Sequence, residues 1–375
     1  MKRILGVLLF AVGMQLPTYA EITRIWLTHR TNVPDSIVVN WESDLPGTSE
    51  VQFGPTADYG KRVTSDDETS LHHVEIPVDS RDGVIHYRVK TGDQRSADAV
   101  FKTYPTNELR IAVIADWQGR PDLKSIRDDD VHLIATAGDN ITSLWSKCGN
   151  DNHDCIVPYL ELIDAYPDLF RSTPLMPVLG NHDREIRPRG THAPDVPVYD
   201  VDAKAFRRFF ELPDQEWKWQ FAFPDFGLRL VGLDLSHILD SGTTWQTCHA
   251  YGDDSEQFRW YQSLPTANDE FMVTLYNEQN SNIRRKADNK WHDLFRRGTC
   301  CISGFGYFAE RAVVDDFTYY NTSLSGKGDQ YPDPDSEFLA SEDNYILLSV
   351  QRHGGMTVNI KTLDGTVIDS MHFDR

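Results

Sequence analysis

Three nearly unbroken apolar runs constrain this chain most: Leu109 to Ala115, Val131 to Ala137 and Leu175 to Leu179. A strand with water on one face alternates apolar and polar residues, whereas a near-continuous apolar run needs cover on both faces. Candidate helices lie between and after these runs, at Ile156 to Leu169, Ala203 to Phe210 and Asp254 to Leu264. Strands alternating with helices predict an α/β domain with its sheet flanked on both sides.

Each run stops at a polar cluster. The first ends Ile114-Ala115-Asp116-Trp117-Gln118-Gly119, the second Ala137-Gly138-Asp139-Asn140, the third Val178-Leu179-Gly180-Asn181-His182-Asp183. Ligands of such sheets collect at the carboxyl ends of strands. Asp116, Asp139 and Asn181 are hard oxygen donors suited to divalent or trivalent metals. Asp139 is placed to bridge two ions, with Asn181 completing one and His182 facing a phosphate oxygen. A lone strand-end Asp is more often a cap or turn former than a ligand. The ordered set of strand ends is what carries weight.

Before Leu109 the pattern differs. Residues 21–104 read as short strands separated by turns: Ser36 to Trp41, Glu50 to Phe53, His73 to Val78, Ile85 to Lys90 and Ala97 to Lys102. Several alternate in the manner of half-buried antiparallel strands, which predicts a small β-sandwich of the fibronectin type III or Ig-like kind. Tyr104 to Asn107 reads as a linker, and residues 109–375 as the second domain. That domain ends in strands at Tyr345 to Gln351, Met356 to Thr362 and Thr366 to Phe373.

Residues 1–20 have the form of a secretory signal: basic Lys2 and Arg3, an apolar stretch from Ile4 to Val12, and Thr18-Tyr19-Ala20 for cleavage. The apolar stretch is shorter than the ~20 residues a membrane span needs. A secreted or periplasmic protein is therefore expected, with no membrane span after cleavage. In such a compartment cysteines pair. Of the five, Cys148 and Cys155 are candidates to close a short loop, and one of the adjacent Cys300 and Cys301 is a candidate partner for Cys248. The formal net charge of −20 argues against nucleic acid as a partner. It leaves room for a small anionic ligand drawn by a local cation.

With these residues in place the chain resembles the calcineurin-like metallophosphoesterases, and within them the purple acid phosphatases. That family runs D-x-(G/H), G-D, G-N-H-(D/E), a His after a strand, then G-H-x-H. The β-rich segment 21–104 and the ending around Leu363-Asp364-Gly365 are also similar to that family's. The resemblance implies a four-layer α/β/β/α domain, divalent or trivalent metal ions (Fe, Zn or Mn), and hydrolysis of small phosphate esters by metal-activated water.

The downstream half departs from the family pattern. Asn277, ending Phe271 to Asn277, holds the place of a metal-binding His. Phe305 and Tyr307, in Cys301-Ile-Ser-Gly-Phe-Gly-Tyr-Phe-Ala-Glu-Arg311, replace the two histidines, while Ser303, Gly304, Glu310 and Arg311 keep the frame. Thr142 replaces a metal-ligand Tyr, and Gln118 holds an alternative His place. Gln118, Asn277 and Tyr307 are candidate substitute ligands, but amide oxygens bind transition metals poorly compared with imidazole. The expectation is a depleted metal site, weak or inactive, with His182 as catalytic residue. The alternative is a catalytically inactive pseudophosphatase that binds a ligand or partner. Glu278, Gln279, Asn280 and His292 read as a solvated loop, and Asp234 as a turn former. His153, His192, Arg187 and Arg189 read as surface residues.

Overall fold

The fold is described from a computed structural model, over residues 22–267 and 270–375. The expected export signal, residues 1–20, lies outside the described residues. The first sheet contains β1 (Ile25–Thr28), β2 (Ser36–Gly54), β3 (Lys61–Pro77), β4 (Val84–Thr91), β5 (Gln94–Arg95) and β6 (Ala99–Lys102). The stretches Ser36 to Trp41 and Glu50 to Phe53, expected as two strands, are halves of the single strand β2. Its register against β3 shifts between Glu42 and Gly47 and again before Ser49. The first half pairs with β1, the second with β4. One continuous sheet thus folds over on itself, and Leu27, Val39 and Trp41 from one half meet Val51, Phe53 and Tyr87 from the other in a common core.

The rest of the chain builds two further sheets. Its strands are β7 (Glu108–Ile114), β8 (Leu133–Thr136), β9 (Leu175–Met176), β10 (Trp219–Phe223), β11 (Leu228–Ser236), β12 (Phe271–Asn277) and β13 (Cys300–Ser303). They are followed by β14 (Ala309–Val314), β15 (Phe317–Asn321), β16 (Ser336–Ala340), β17 (Asn344–Gln351), β18 (Met356–Thr362) and β19 (Val367–Phe373). One sheet has the order β19-β18-β17-β7-β8-β9, the other β10-β11-β12-β13-β15-β14-β16. Strands β7 to β9 are parallel, as are β11, β12, β13 and β15.

The helices are α1 (Lys124–Asp128), α2 (Trp145–Cys148), α3 (Val157–Ala165), α4 (Pro167–Phe170), α5 (Lys204–Phe210), α6 (Glu256–Ser263), α7 (Asn280–Ile283) and α8 (Lys290–Phe295). The helix expected over Ile156 to Leu169 breaks at Tyr166, whose ψ of 52° lies outside the α region that proline disfavours in the residue before it. Alternation along β12 sorts its side chains between layers. Phe271, Val273 and Leu275 join the core that also holds Ile111, Leu348 and Phe206 of α5, whereas Met272 and Tyr276 pack with Phe258 of α6 and Trp291 of α8. The layers therefore run helices, sheet, sheet, helices. The carboxyl ends of β7, β8, β12 and β13 meet along one edge, where Gly304 lies against Ala115 and Ala137, and Gly138 against Asn277.

The cysteines follow the same geometry. Cys148 and Cys155 are bonded, with Cα atoms 6.1 Å apart, joining the end of α2 to the approach of α3. Cys248, Cys300 and Cys301 are buried free thiols, so the expected bridge to Cys248 is not formed. Neighbours on a strand face opposite ways, and Cys300 and Cys301 accordingly enter different cores.

Candidate functional site at the strand ends

Asp116 and Asp139 follow the ends of β7 and β8, and both hold left-handed backbone, at φ 54° and 55°. Such a conformation is uncommon outside glycine, and Asp is among the residues that adopt it most readily. The two loops are tied together: the Trp117 N–H donates to the Asp139 carbonyl at 2.7 Å, and the Asp116 N–H to that of Gly138 at 3.3 Å. Burial first, and then the neighbouring Asp139 charge, push the Asp116 carboxyl well above the usual carboxylate range. Its Oδ2 is buried without a partner, as is Nδ2 of Asn181.

The third strand end is fitted around Asp139. A Cβ on Gly180 would lie 2.0 Å from Asp139 Oδ1, so only glycine lets that carboxylate in. The same Oδ1 accepts the His182 N–H at 3.0 Å. The His182 ring donates from Nδ1 to the Thr142 carbonyl at 2.5 Å, which leaves Nε2 as the free ring nitrogen. Asp183 turns inward, accepting from the Gly180 N–H at 2.8 Å and from Asn140 Nδ2 at 3.0 Å. Burial and then Asp139 push its carboxyl up to about 7.

The candidate substitute ligands are brought to the same edge, but they bond to backbone or to one another. Asn277 Nδ2 donates to the carbonyls of Ala137 at 3.2 Å and Gly304 at 2.9 Å. The Tyr307 hydroxyl donates to Gln118 Oε1 at 3.3 Å. Burial, with Asp116 and Asp139 behind it, raises the Tyr307 hydroxyl above its ordinary value, which keeps it protonated. Phe305 packs its ring 5.5 Å from those of His237 and Tyr331.

Several expectations fail here. Glu278, Asn280 and His292 are buried rather than solvated. Glu278 accepts from the Ile238 N–H at 2.7 Å, Asn280 from the Tyr276 hydroxyl at 2.8 Å, and His292 pairs with the Tyr319 hydroxyl at 2.7 Å. Asp234 is no turn former: fully buried, it pairs with Arg184 and lies 2.6 Å from the His249 ring. Arg187, Arg189 and His153 keep the surface positions expected of them: Arg187 pairs with Asp151, Arg189 lies over the Tyr199 ring, and His153 stands 3.3 Å from Asp200. One neighbour of the site escapes the sequence reading: His237, which follows β11 as Asp116 follows β7. Burial pushes its ring down to about 3, so it is neutral. The signal that finds it is the same strand-end rule.

An imidazole-rich two-ion centre does not fit these residues. Among the described residues, no three His, Cys, Asp or Glu side chains converge to hold an ion. Asp116 Oδ2, buried without a partner, lies beside Asp139, and carboxylate oxygens of this kind are hard donors for a cation.

The profile of the calcineurin-like phosphoesterase family matches residues 109–324. A comparison with curated protein sequences finds no match. Among solved structures, purple acid phosphatase PPD1 from yellow lupin (Lupinus luteus) seeds is similar at 14% identity with a TM-score of 0.69, covering 95% of this chain and 74% of that one. The structure of PhoD is similar at 11% identity with a TM-score of 0.63, covering 96% of this chain and 90% of that one. At such identity the likeness is one of fold.

Proposed function

The chain belongs to the calcineurin-like phosphoesterase family, and from that premise we propose that it is an exported member whose metal centre is depleted, leaving phosphate-ester hydrolysis weak or absent. The observation that carries this reading is the engagement of Asn277. Its Nδ2 is spent on two backbone carbonyls at the place where the family sets an imidazole. Phe305 offers no donor atom at all. A cation on Asp116 and Asp139 would offset their mutual repulsion and attract an anionic group, with His182 Nε2 facing it. Two ions acting on opposite sides of one phosphorus are not supported.

A second reading, a non-catalytic module that binds a small phosphate ester or other anion, is favoured by the Tyr307–Gln118 hydrogen bond, which closes one ligand position. Export is supported by the form of residues 1–20 and by the Cys148–Cys155 bond, since such bonds persist in oxidising compartments. N-terminal sequencing of secreted or periplasmic material tests that part, and a chain beginning at Met1 contradicts it. Turnover of 4-nitrophenyl phosphate with added Mn, Zn or Fe tests the rest. Rates far below the ordinary ~10 per second are expected, and an ordinary rate overturns the depleted-site reading.

A further inference from the structure

After His182 the chain leaves the strand-end site and returns in a closed loop. Residues 184–186 run out and residues 198–200 come back beside them in antiparallel contact. The Ile186 N–H donates to the Val198 carbonyl at 2.9 Å, and the Asp200 N–H to that of Arg184 at 2.8 Å. The far side of the loop is tied to the segment that follows β11, where the Thr244 hydroxyl donates to the Pro194 carbonyl at 2.7 Å. The loop is therefore pinned at both ends, to the strand end bearing His182 and to the segment that begins with His237.

Arg189 stands on this loop. Its guanidinium lies 5.6 Å from the centre of the Tyr199 ring, which is buried and so forms a fixed platform. Arg187, two residues earlier, is paired with Asp151, whereas no carboxylate among the described residues forms an ion pair with Arg189. A guanidinium resting on an aromatic ring can still direct its N–H groups at an oxyanion, in the two-pronged contact that suits phosphate. Its charge acts on groups from both sheets: on Glu185 and Tyr199 of the loop itself, and on His237 and Tyr307, which follow β11 and β13. His182 adds a complementary group. Its Nδ1 is engaged by the Thr142 carbonyl, and Nε2 remains to accept the O–H of a protonated phosphate oxygen. A side chain that stays positive at every ordinary pH thus stands over an edge that has lost the imidazoles needed to hold metal charge.

We propose that Arg189, together with His182 Nε2, binds the phosphate group of a small ligand at this edge without a bound metal ion. The proposal rests on the anion-binding reading above and removes its need for a cation. Calorimetric titration of the full chain with inorganic phosphate and with phenyl phosphate, first in EDTA and then with Mn, separates the two. The parent chain should bind in EDTA. Binding of inorganic phosphate there identifies the free ion as a sufficient ligand, and binding of phenyl phosphate alone identifies an ester. Arg189→Ala should weaken that binding roughly tenfold or more. Arg189→Lys, which keeps the charge and loses the fork, should retain part of it. Arg187→Ala should leave it unchanged. Arg189 is exposed, so its replacement should not disturb folding, and equal thermal unfolding of parent and variant checks this. Binding in EDTA that Arg189→Ala leaves within about twofold overturns the assignment of Arg189 and keeps the anion-binding reading. Binding that requires Mn overturns the proposal and supports a cation on Asp116 and Asp139. No binding of either probe, with or without Mn, overturns both.

Discussion

The Asn277 side chain reaches from the end of β12 to the carbonyl of Ala137, 3.2 Å away at the end of β8, and so ties the two sheets of the phosphoesterase domain together. It is 1% exposed, and a Cβ on Gly138 would lie 2.5 Å from its own Cβ. The amide is thus held by packing as well as by hydrogen bonds. Asn277→Ala should leave the carbonyls of Ala137 and Gly304 buried and unmet, costing about 2–4 kcal/mol. Chemical denaturation checks this, and a change below about 0.5 kcal/mol would show that the tie is dispensable.

Gly180→Ala probes the fit around Asp139. The added methyl collides with Asp139 Oδ1, so the carboxylate must move and the His182 N–H loses its acceptor. Binding of any cation or phosphate at this edge should fall roughly tenfold or more, with a stability loss of about 1–3 kcal/mol. Titration of the variant with Mn and with inorganic phosphate measures the first, thermal unfolding the second.

The buried pair of Arg184 and Asp234 anchors the segment after Asn181 to β11. Removing one partner strands the other charge, so Asp234→Asn should destabilise by about 3–5 kcal/mol. The effect should exceed that of disrupting the exposed pair of Lys124 and Asp128, where less than about 1 kcal/mol is expected. Denaturant titration of the two variants side by side gives the comparison.

Glu310 supplies a pH dependence away from the site. Burial pushes its carboxyl up to about 7, although Oε1 accepts the Asp333 N–H at 2.7 Å. The folded chain therefore holds a proton that the unfolded chain loses near pH 4.5. Its contribution favours folding at low pH and is lost as pH rises through 7. Glu310→Gln should thus gain stability relative to the parent between about pH 5 and pH 8, by about 1–3 kcal/mol. A constant difference across that window would refute the assignment.

How much of this can be read from residues depends on the range of the interactions. The strand ends bearing Asp116, Asp139 and Asn181 are legible because apolar runs and their polar stops are local patterns. The exclusion of imidazole at positions 277, 305 and 307 is legible from identity alone. What those replacements do is not: the Asn277 partners lie at the end of β8 and in the loop after β13, and no local signal names them. Asp234 reads as a turn former until Arg184 arrives from a distant loop. Glu278 and His292 look like surface groups because charge and polarity predict exposure on average, and tertiary partners override that average. The folded-over first sheet is hidden for a related reason, since a bend within a strand resembles a break between two.

The depleted metal centre is tested most directly by elemental analysis of the mature protein purified without chelator, alongside the triple variant Asn277→His, Phe305→His and Tyr307→His. No more than one weakly held transition-metal ion per parent chain is expected, with higher occupancy and higher phosphatase activity in the variant. Two tightly held ions in the parent chain would contradict it.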